Sequence, residues 1–245
     1  MFNLLKYVTE ADVATITFAR PDARNAFNSE LYREFRDALR LADGDRGVEF
    51  IVVTGGPEIF GSGGDLAESL AVLASEDPLA PYRFGDVLPW EELRQCSKVT
   101  IAAINGYCLA GAAVAALLCD IAVASQSARI GFPEGRVGIA ATIVTSILFG
   151  RVPAPKAKYL MLTGKMLSAA EAERYGLLTE VVPDGQLDRR IASLVSELRA
   201  TTPGARRLYK RYWDDLIPRK ADSTGIASLL SDEARQSMER FFAEK

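Results

Sequence analysis

The chain predicts an α/β protein built around a largely parallel sheet, and three observations carry that reading. Phe50-Ile51-Val52-Val53-Thr54, Val99 to Ile104 and Ile121-Ala122-Val123-Ala124 are apolar runs rich in β-branched residues, the mark of strands covered on both faces. The first two are each followed by a glycine turn and then by a helix. Strand, turn, helix, strand is the unit that joins parallel strands by a crossover. After Pro153 the strands nearly stop and amphipathic helices take over.

The elements follow in order. Lys6–Thr9 and Val13–Phe18 are extended runs separated by Glu10-Ala11-Asp12, a hairpin turn. Pro21 ends the second run. Asn28 or Ser29 caps a helix whose Leu31, Phe35, Ala38, Leu39 and Ala42 fall on one face, with Gly44 and Gly47 at its end. A glycine-rich loop, Gly55 to Gly64, leads from the first buried strand to a helix near Asp65. Asn105-Gly106 turns the chain after the second, ahead of a small-residue helix over Gly111–Cys119. Further on, Ala154–Thr163 is helical, and Ser168 with Glu171 forms a capping box for a helix that Gly176 closes. Val181-Val182 is a short extended piece. Leu187, Ile191, Leu194, Val195 and Leu198 mark an amphipathic helix, Thr202-Pro203 starts another, and Ile226 to Phe242 forms the last. The helical tail has little core of its own and is suited to an oligomer interface.

The 245 residues carry 29 Lys+Arg against 32 Asp+Glu, three Cys and no His. The missing imidazole excludes Ser-His-Asp and Cys-His catalysis and histidine-bound zinc. Acid–base work falls to carboxylates, Lys, Tyr, Cys or water. A net charge of −3 offers no global attraction to nucleic acid or anionic lipid. Cys96, Cys108 and Cys119 form no CxxC pair and read as buried small hydrophobes in a reducing compartment. The longest apolar run, Tyr107 to Cys119, is 13 residues. A membrane helix needs roughly 20. Met1 to Tyr7 lacks the apolar stretch of a signal peptide, so a cytoplasmic protein without membrane or nucleic-acid partners is expected.

Three places suit chemistry. Phe60-Gly61-Ser62-Gly63-Gly64-Asp65 and Asn105-Gly106-Tyr107-Cys108-Leu109-Ala110-Gly111 are glycine-rich turns after buried strands, the second opening a helix. Such turns can aim backbone N–H groups at one oxygen, as an oxyanion hole does. Equally, they would serve as tight turns that let helix meet sheet. Glu134, between Phe132-Pro133 and Gly135, is a carboxylate in a setting that can raise its pKa, or an ordinary turn glutamate. In the tail, Arg206, Arg207, Lys210 and Arg211 occupy one helical arc. Leu208, Tyr209, Tyr212, Trp213 and Leu216 occupy the other, predicting a solvated basic face.

The order of motifs resembles the crotonase superfamily, the enoyl-CoA hydratase/isomerase group. The resemblance rests on Arg20-Pro21-Asp22-Ala23-Arg24-Asn25-Ala26, Val52 to Gly55, Phe60 to Asp65, Ile101 to Gly111, Cys119 to Ala122 and Gly131-Phe132-Pro133-Glu134. Leu162-Thr163-Gly164 with Ala169 to Ala172 completes it. It covers nearly the whole chain. It implies a crotonase-like spiral of ββα units over residues 1–190 and a C-terminal helical trimerisation region over 191–245, assembled as a homotrimer or homohexamer. It also implies an acyl-CoA thioester substrate, with coenzyme A as part of that substrate and no separate cofactor or metal. By position the oxyanion-hole amides fall on Ser62 and Gly111, and the acid–base group on Glu134. Arg24, Ala26, Gly61, Gly64, Asp65 and Leu66 fall where relatives contact the CoA-linked substrate.

Departures from the family pattern sharpen the expectation. The hydratases' second glutamate falls on Val114, which can neither orient nor deprotonate water. One carboxylate suffices to shift a double bond, favouring an isomerase-like role. Hydrolysis, decarboxylation or carbon–carbon chemistry with one carboxylate, hydration, and CoA binding without turnover are the alternatives. Gly138 to Ile143 replaces a glycine-rich stretch and makes the pocket more apolar. The segment 73–92 could supply a second polar group from Tyr82, Asp86 or Glu91. Arg24 suits a CoA phosphate or simply solvent, and Lys245 of a neighbouring subunit is a further phosphate candidate.

Overall fold

The computed structural model describes residues 2–77, 88–216 and 228–244. The chain opens with a hairpin, β1 (Leu5–Glu10) and β2 (Val13–Phe18), in register from Leu5↔Phe18 to Glu10↔Val13, with Ala11 in the left-handed region at its tip. Helix α1 (Ser29–Gly44) follows, its N-terminus capped by the Asn28 side chain, which accepts from the Leu31 N–H. Its five predicted core residues are all buried.

Then come β3 (Phe50–Thr54), α2 (Leu66–Leu73), α3 (Trp90–Gln95), β4 (Val99–Ile104), β5 (Tyr107–Leu109), α4 (Ala110–Leu118), β6 (Ile121–Ser125) and β7 (Arg129–Gly131). A 3₁₀ turn over Pro133–Val137 leads to α5 (Thr142–Leu148), α6 (Ala154–Thr163), β8 (Met166–Ser168), α7 (Ala169–Arg174) and β9 (Glu180–Val182). The chain closes with α8 (Leu187–Arg199), α9 (Pro203–Asp215) and α10 (Asp232–Ala243). Residues 217–227, where the sequence places the start of the last helix, lie outside the described residues.

Two sheets result. The larger runs β1-β2-β3-β4-β6-β9 and is parallel at every pair but the first, as the apolar runs predict. The smaller, β5-β7-β8, consists of three-residue strands too short to show an alternation in sequence. Its strands interleave with those of the large sheet, β4-β5-α4 followed by β6-β7 and the 3₁₀ turn, giving the spiral of ββα units.

Strand alternation divides the core. Ile51, Val53, Ala102 and Ile104 join α1 and α4 on one side. Phe50, Val52, Val99, Ile101 and Val123 face the other, where Leu187, Ile191, Leu194 and Val195 of α8 cover them. Helix α8 is therefore a wall of the core, and the expected boundary at 190/191 falls inside it. On α9 the expected solvated basic face holds for Arg207 and Arg211, which are exposed, but not for its other two members. Arg206 is buried, paired with Glu49 and stacked 4.9 Å over the Phe50 ring; Lys210 reaches Asp120 at 2.7 Å. Tyr209, Tyr212, Trp213 and Leu216 are exposed instead. All three cysteines are buried and free, and burial pushes the Cys96 thiol up to about 12.

Candidate active site

The ends of three parallel segments build the site. Gly61 forms an isolated parallel bridge with Cys108, and β5 pairs in parallel with β7, matching Leu109 to Gly131. The residues that follow, Ser62–Asp65, Ala110–Gly111 and Phe132–Glu134, thus leave the small sheet at the same end.

The first segment is held by close packing. A Cβ on Gly61 would lie 2.7 Å from the Ala112 Cβ, and one on Gly63, at φ 98°, 2.5 Å from the Ala110 Cβ. Only glycine permits that approach. Asn25, buried and at φ 50°, ties the surrounding loops: its Oδ1 accepts from the Arg20 N–H, and its Nδ2 donates to the Gly55 and Ile59 carbonyls at 3.0 Å each. Its buried amide thus has the geometry of a loop staple.

Hydrogen bonding decides which amides can meet a ligand. The Ser62 N–H donates to the Arg24 carbonyl at 3.1 Å. That bond holds the turn that carries Ser62 against the loop before α1. Gly61 is committed as well, its N–H donating to the Tyr107 carbonyl at 2.9 Å. Gly64 differs. It is exposed, its N–H has no hydrogen-bond partner among the described residues, and an added Cβ would meet nothing within 4 Å. The Gly64 nitrogen lies 4.0 Å from the position a Gly111 Cβ would take. Gly111 stands in the first turn of α4, whose N-terminus has no side-chain cap, so its N–H belongs to the positive end of the helix. Among the described residues, neither the Gly64 nor the Gly111 N–H donates to a loop or turn carbonyl.

Asp65 has no free capacity for a ligand. Its Oδ1 accepts from the Ala67 and Glu68 N–H groups, and its Oδ2 meets the Arg20 guanidinium at 3.2 Å. These bonds position the turn. Leu66 opens α2 and is half-buried. Ala26 is half-buried, with its carbonyl accepting from Arg20 at 2.5 Å. Arg24 is exposed in the left-handed region, and its side chain makes no hydrogen bond or ion pair among the described residues.

Glu134 sits in the 3₁₀ turn after β7. Its Oε2 is buried with no hydrogen-bond partner among the described residues, and burial raises its pKa to about 7. An acid so placed holds its proton near neutrality and can both accept and return one. Helix α10 backs this turn: a Cβ on Gly138 would lie 2.7 Å from the Ala234 Cα. Val114, 2% exposed, is a core residue of α4 three positions beyond Gly111. Glu91 is exposed on α3 and accepts from Gln95 at 2.5 Å, while Tyr82, Asp86 and Lys245 lie outside the described residues.

A spiral of ββα units, with glycine turns and a buried carboxyl following the same end of the small sheet, is the architecture of the crotonase superfamily. The family model described as enoyl-CoA hydratase/isomerase matches residues 8–239, so the chain belongs to that family. A probable enoyl-CoA hydratase of Rhizobium meliloti (strain 1021) is 36% identical over 206 residues, 83% of this chain and 79% of its own length. A putative enoyl-CoA hydratase of Thermus thermophilus is 33% identical, covering 83% and 81%. Among solved structures, an enoyl-CoA hydratase subunit from Geobacillus kaustophilus HTA426 superposes with a TM-score of 0.80 at 30% identity, covering 99% of this chain and 91% of that one.

Proposed function

We propose that this protein is an enoyl-CoA isomerase that works with a single carboxylate, Glu134, and an oxyanion hole formed by the Gly64 and Gly111 amides. The observation that carries the reading is the Glu134 Oε2, buried and without a hydrogen-bond partner among the described residues. Glu134 takes a proton from carbon 2 of a 3-enoyl thioester. The C–H electron pair moves into the carbonyl, giving an enolate whose oxygen the two amides stabilise. The same carboxyl returns its proton at carbon 4, and the double bond moves from C3–C4 to C2–C3. Loss of one oxyanion donor typically costs about 2.7–4 kcal/mol, so the two amides are a large part of the catalytic effect.

Hydration is the second reading, favoured by the hydratase names of the relatives. It needs a polar group to hold water against the double bond, and Val114 offers none. Turnover of 3-enoyl-CoA and 2-enoyl-CoA, followed side by side, tests the choice. Conjugation of the former without hydration of the latter supports isomerisation; efficient hydration refutes it. Glu134→Gln is expected to lower isomerisation by about 10²–10⁴-fold while thioester binding persists. Isomerisation should rise with pH through about 7, as Glu134 loses the proton that blocks it as a base.

The assembly belongs to the same proposal. The aromatic face of α9 that the monomer leaves exposed suits burial against further copies, as a homotrimer or homohexamer. Arg24, exposed at the rim, suits a CoA phosphate through its planar donor fork.

A further inference from the structure

We propose that the last helix, α10, is a positioning element for the turn that carries Glu134, acting through Ser228 and Ala234. The proposal rests on the reading of Glu134 as the acid–base group and gives the C-terminal segment a part in that chemistry.

Glu134 is tied to the residues that follow it. Its carbonyl accepts from the Gly138 N–H and from the Ile139 N–H, the latter at 3.0 Å. Whatever fixes residues 138–140 therefore fixes the backbone of Glu134.

The C-terminal segment fixes them at two points. Gly138, at φ 76°, has no room for a side chain: a Cβ there would lie 2.7 Å from the Ala234 Cα and 3.0 Å from the Ala234 nitrogen. Two residues on, the Ala140 N–H donates to the Ser228 Oγ at 2.8 Å. Ser231 joins these two points. Its Oγ donates to the Ser228 carbonyl at 2.7 Å and accepts from the Ala234 N–H at 3.1 Å, capping α10. The serine staple and the backbone contact thus belong to one unit.

The packing of α10 points the same way. Ala234 and Met238 are fully buried, yet neither belongs to the two core clusters. The helix packs instead against α2 and against the turn of Glu134. Helix α2 starts directly after the Gly61–Asp65 turn, so α10 spans the segments that follow one glycine turn and carry the acid. On its other side the turn meets α6, with Arg136 lying against Gly164.

Ionisable side chains on these elements are Arg136 in the turn, Lys156, Lys158 and Tyr159 on α6, and Glu68 on α2. Helix α10 adds Asp232, Glu233, Arg235, Glu239 and Arg240, with Arg235 paired to Asp232 and Glu239. None of them is a cause of the raised Glu134 pKa, which comes from burial. The Glu134 titration therefore reports how deeply the turn holds the carboxyl.

The test compares wild type with Ser228→Ala, Ser228→Thr and Ala234→Leu. Two readouts are taken: titration of the Glu134 carboxyl by carbon NMR of glutamate-labelled protein, its signal assigned by its absence in Glu134→Gln, and kcat and KM on 3-enoyl-CoA. Loosening the turn lets water reach the carboxyl, so its midpoint should fall from about 7 toward 4.5 in Ser228→Ala and further in Ala234→Leu. In parallel, kcat should fall about 10-fold and about 100-fold, with KM nearly unchanged. Ser228→Thr keeps the hydroxyl and should restore wild-type values. An unmoved titration in Ser228→Ala overturns the proposal whatever kcat does, and that variant decides alone if Ala234→Leu fails to fold. A raised KM with unchanged kcat also overturns it, since that marks a pocket wall. Wild type that isomerises nothing while Glu134 titrates near 7 sinks the isomerase reading, and the variant titrations still decide the role of α10. Wild type in which Glu134 titrates near 4.5 sinks both.

Discussion

Helices α8 and α9 are each 13 residues long, lie next to each other in the chain and have one apolar and one charged face, yet they dock in opposite senses. Helix α8 turns Leu187, Ile191, Leu194 and Val195 onto the sheet. Helix α9 turns Arg206 and Lys210 inward and leaves Tyr209, Tyr212, Trp213 and Leu216 outside. The neighbours explain it. By the time α9 arrives, the apolar face of the sheet is already covered by α8, and what remains at its edge is Glu49 and Asp120 with the Phe50 ring. The Arg206 guanidinium stacks on Phe50, pairs with Glu49 and donates to the Leu198 carbonyl at 2.8 Å, while Lys210 serves Asp120. Amphipathicity announces two faces; the occupant of the adjoining surface decides which one goes in.

The same contrast separates two buried ionisable groups. Arg206 is buried with a partner, whereas the buried oxygen of Glu134 has none among the described residues. The first reads as architecture and the second as chemistry, because an unpaired buried carboxyl is retained at a cost to stability.

Truncating the inward face of α8 should have the largest effect. Leu194→Ala is expected to cost about 2–4 kcal/mol in chemical denaturation, the range for a buried leucine whose cavity cannot fully collapse. A cost below about 1 kcal/mol would mean that α8 is a cover rather than a core wall.

Glu134 comes next, and its sign runs opposite to that of a paired carboxylate. Its pKa is raised from 4.5 to about 7 in the folded protein, so folding takes up a proton between those values. The contribution is fully present below about pH 4.5 and is lost as pH rises through 7. It amounts to about 3 kcal/mol at most. Wild type should therefore lose stability relative to Glu134→Gln across that window, measured as the denaturation midpoint at several pH values; parallel curves would remove the unpaired-acid reading.

Smaller still is Arg206→Met on α9, expected to cost about 1–2 kcal/mol because Glu49 is partly solvated and regains water when its partner leaves. Smallest is the outer face. Tyr209→Ser with Trp213→Ser should change the stability of the isolated fold by no more than about 0.5 kcal/mol. The same pair should lower the solution mass measured by light scattering if that face is an assembly surface. An unchanged mass would leave the aromatic face without its proposed role.

Much of the fold was legible in the residues. The parallel strands β3, β4 and β6, the Asn28 cap of α1, the Ser168 and Glu171 capping box and the apolar stripe of α8 each express a local rule, and each is present. Strands β5, β7 and β8 were not legible, since three residues hold too little periodicity and their pairing is wholly long-range. In the site, the residues mark the two turns and Glu134 but not which turn amides are already bonded within the protein, as the Ser62 N–H is. Every residue in a glycine turn carries the same N–H, and only the partner across the chain, here the Arg24 carbonyl, shows which is taken.

Composition and pattern by themselves determined an α/β chain with no imidazole, a crossover architecture and two glycine turns ahead of one isolated acid. The tertiary structure alone decided which face of α9 lies inside, which turn amides are already bonded, and that a buried Glu134 oxygen has no partner among the described residues. Local rules follow from a residue and its near neighbours in the chain. The other three depend on which surfaces are already occupied when distant segments meet, and that competition is not encoded in any short window of sequence.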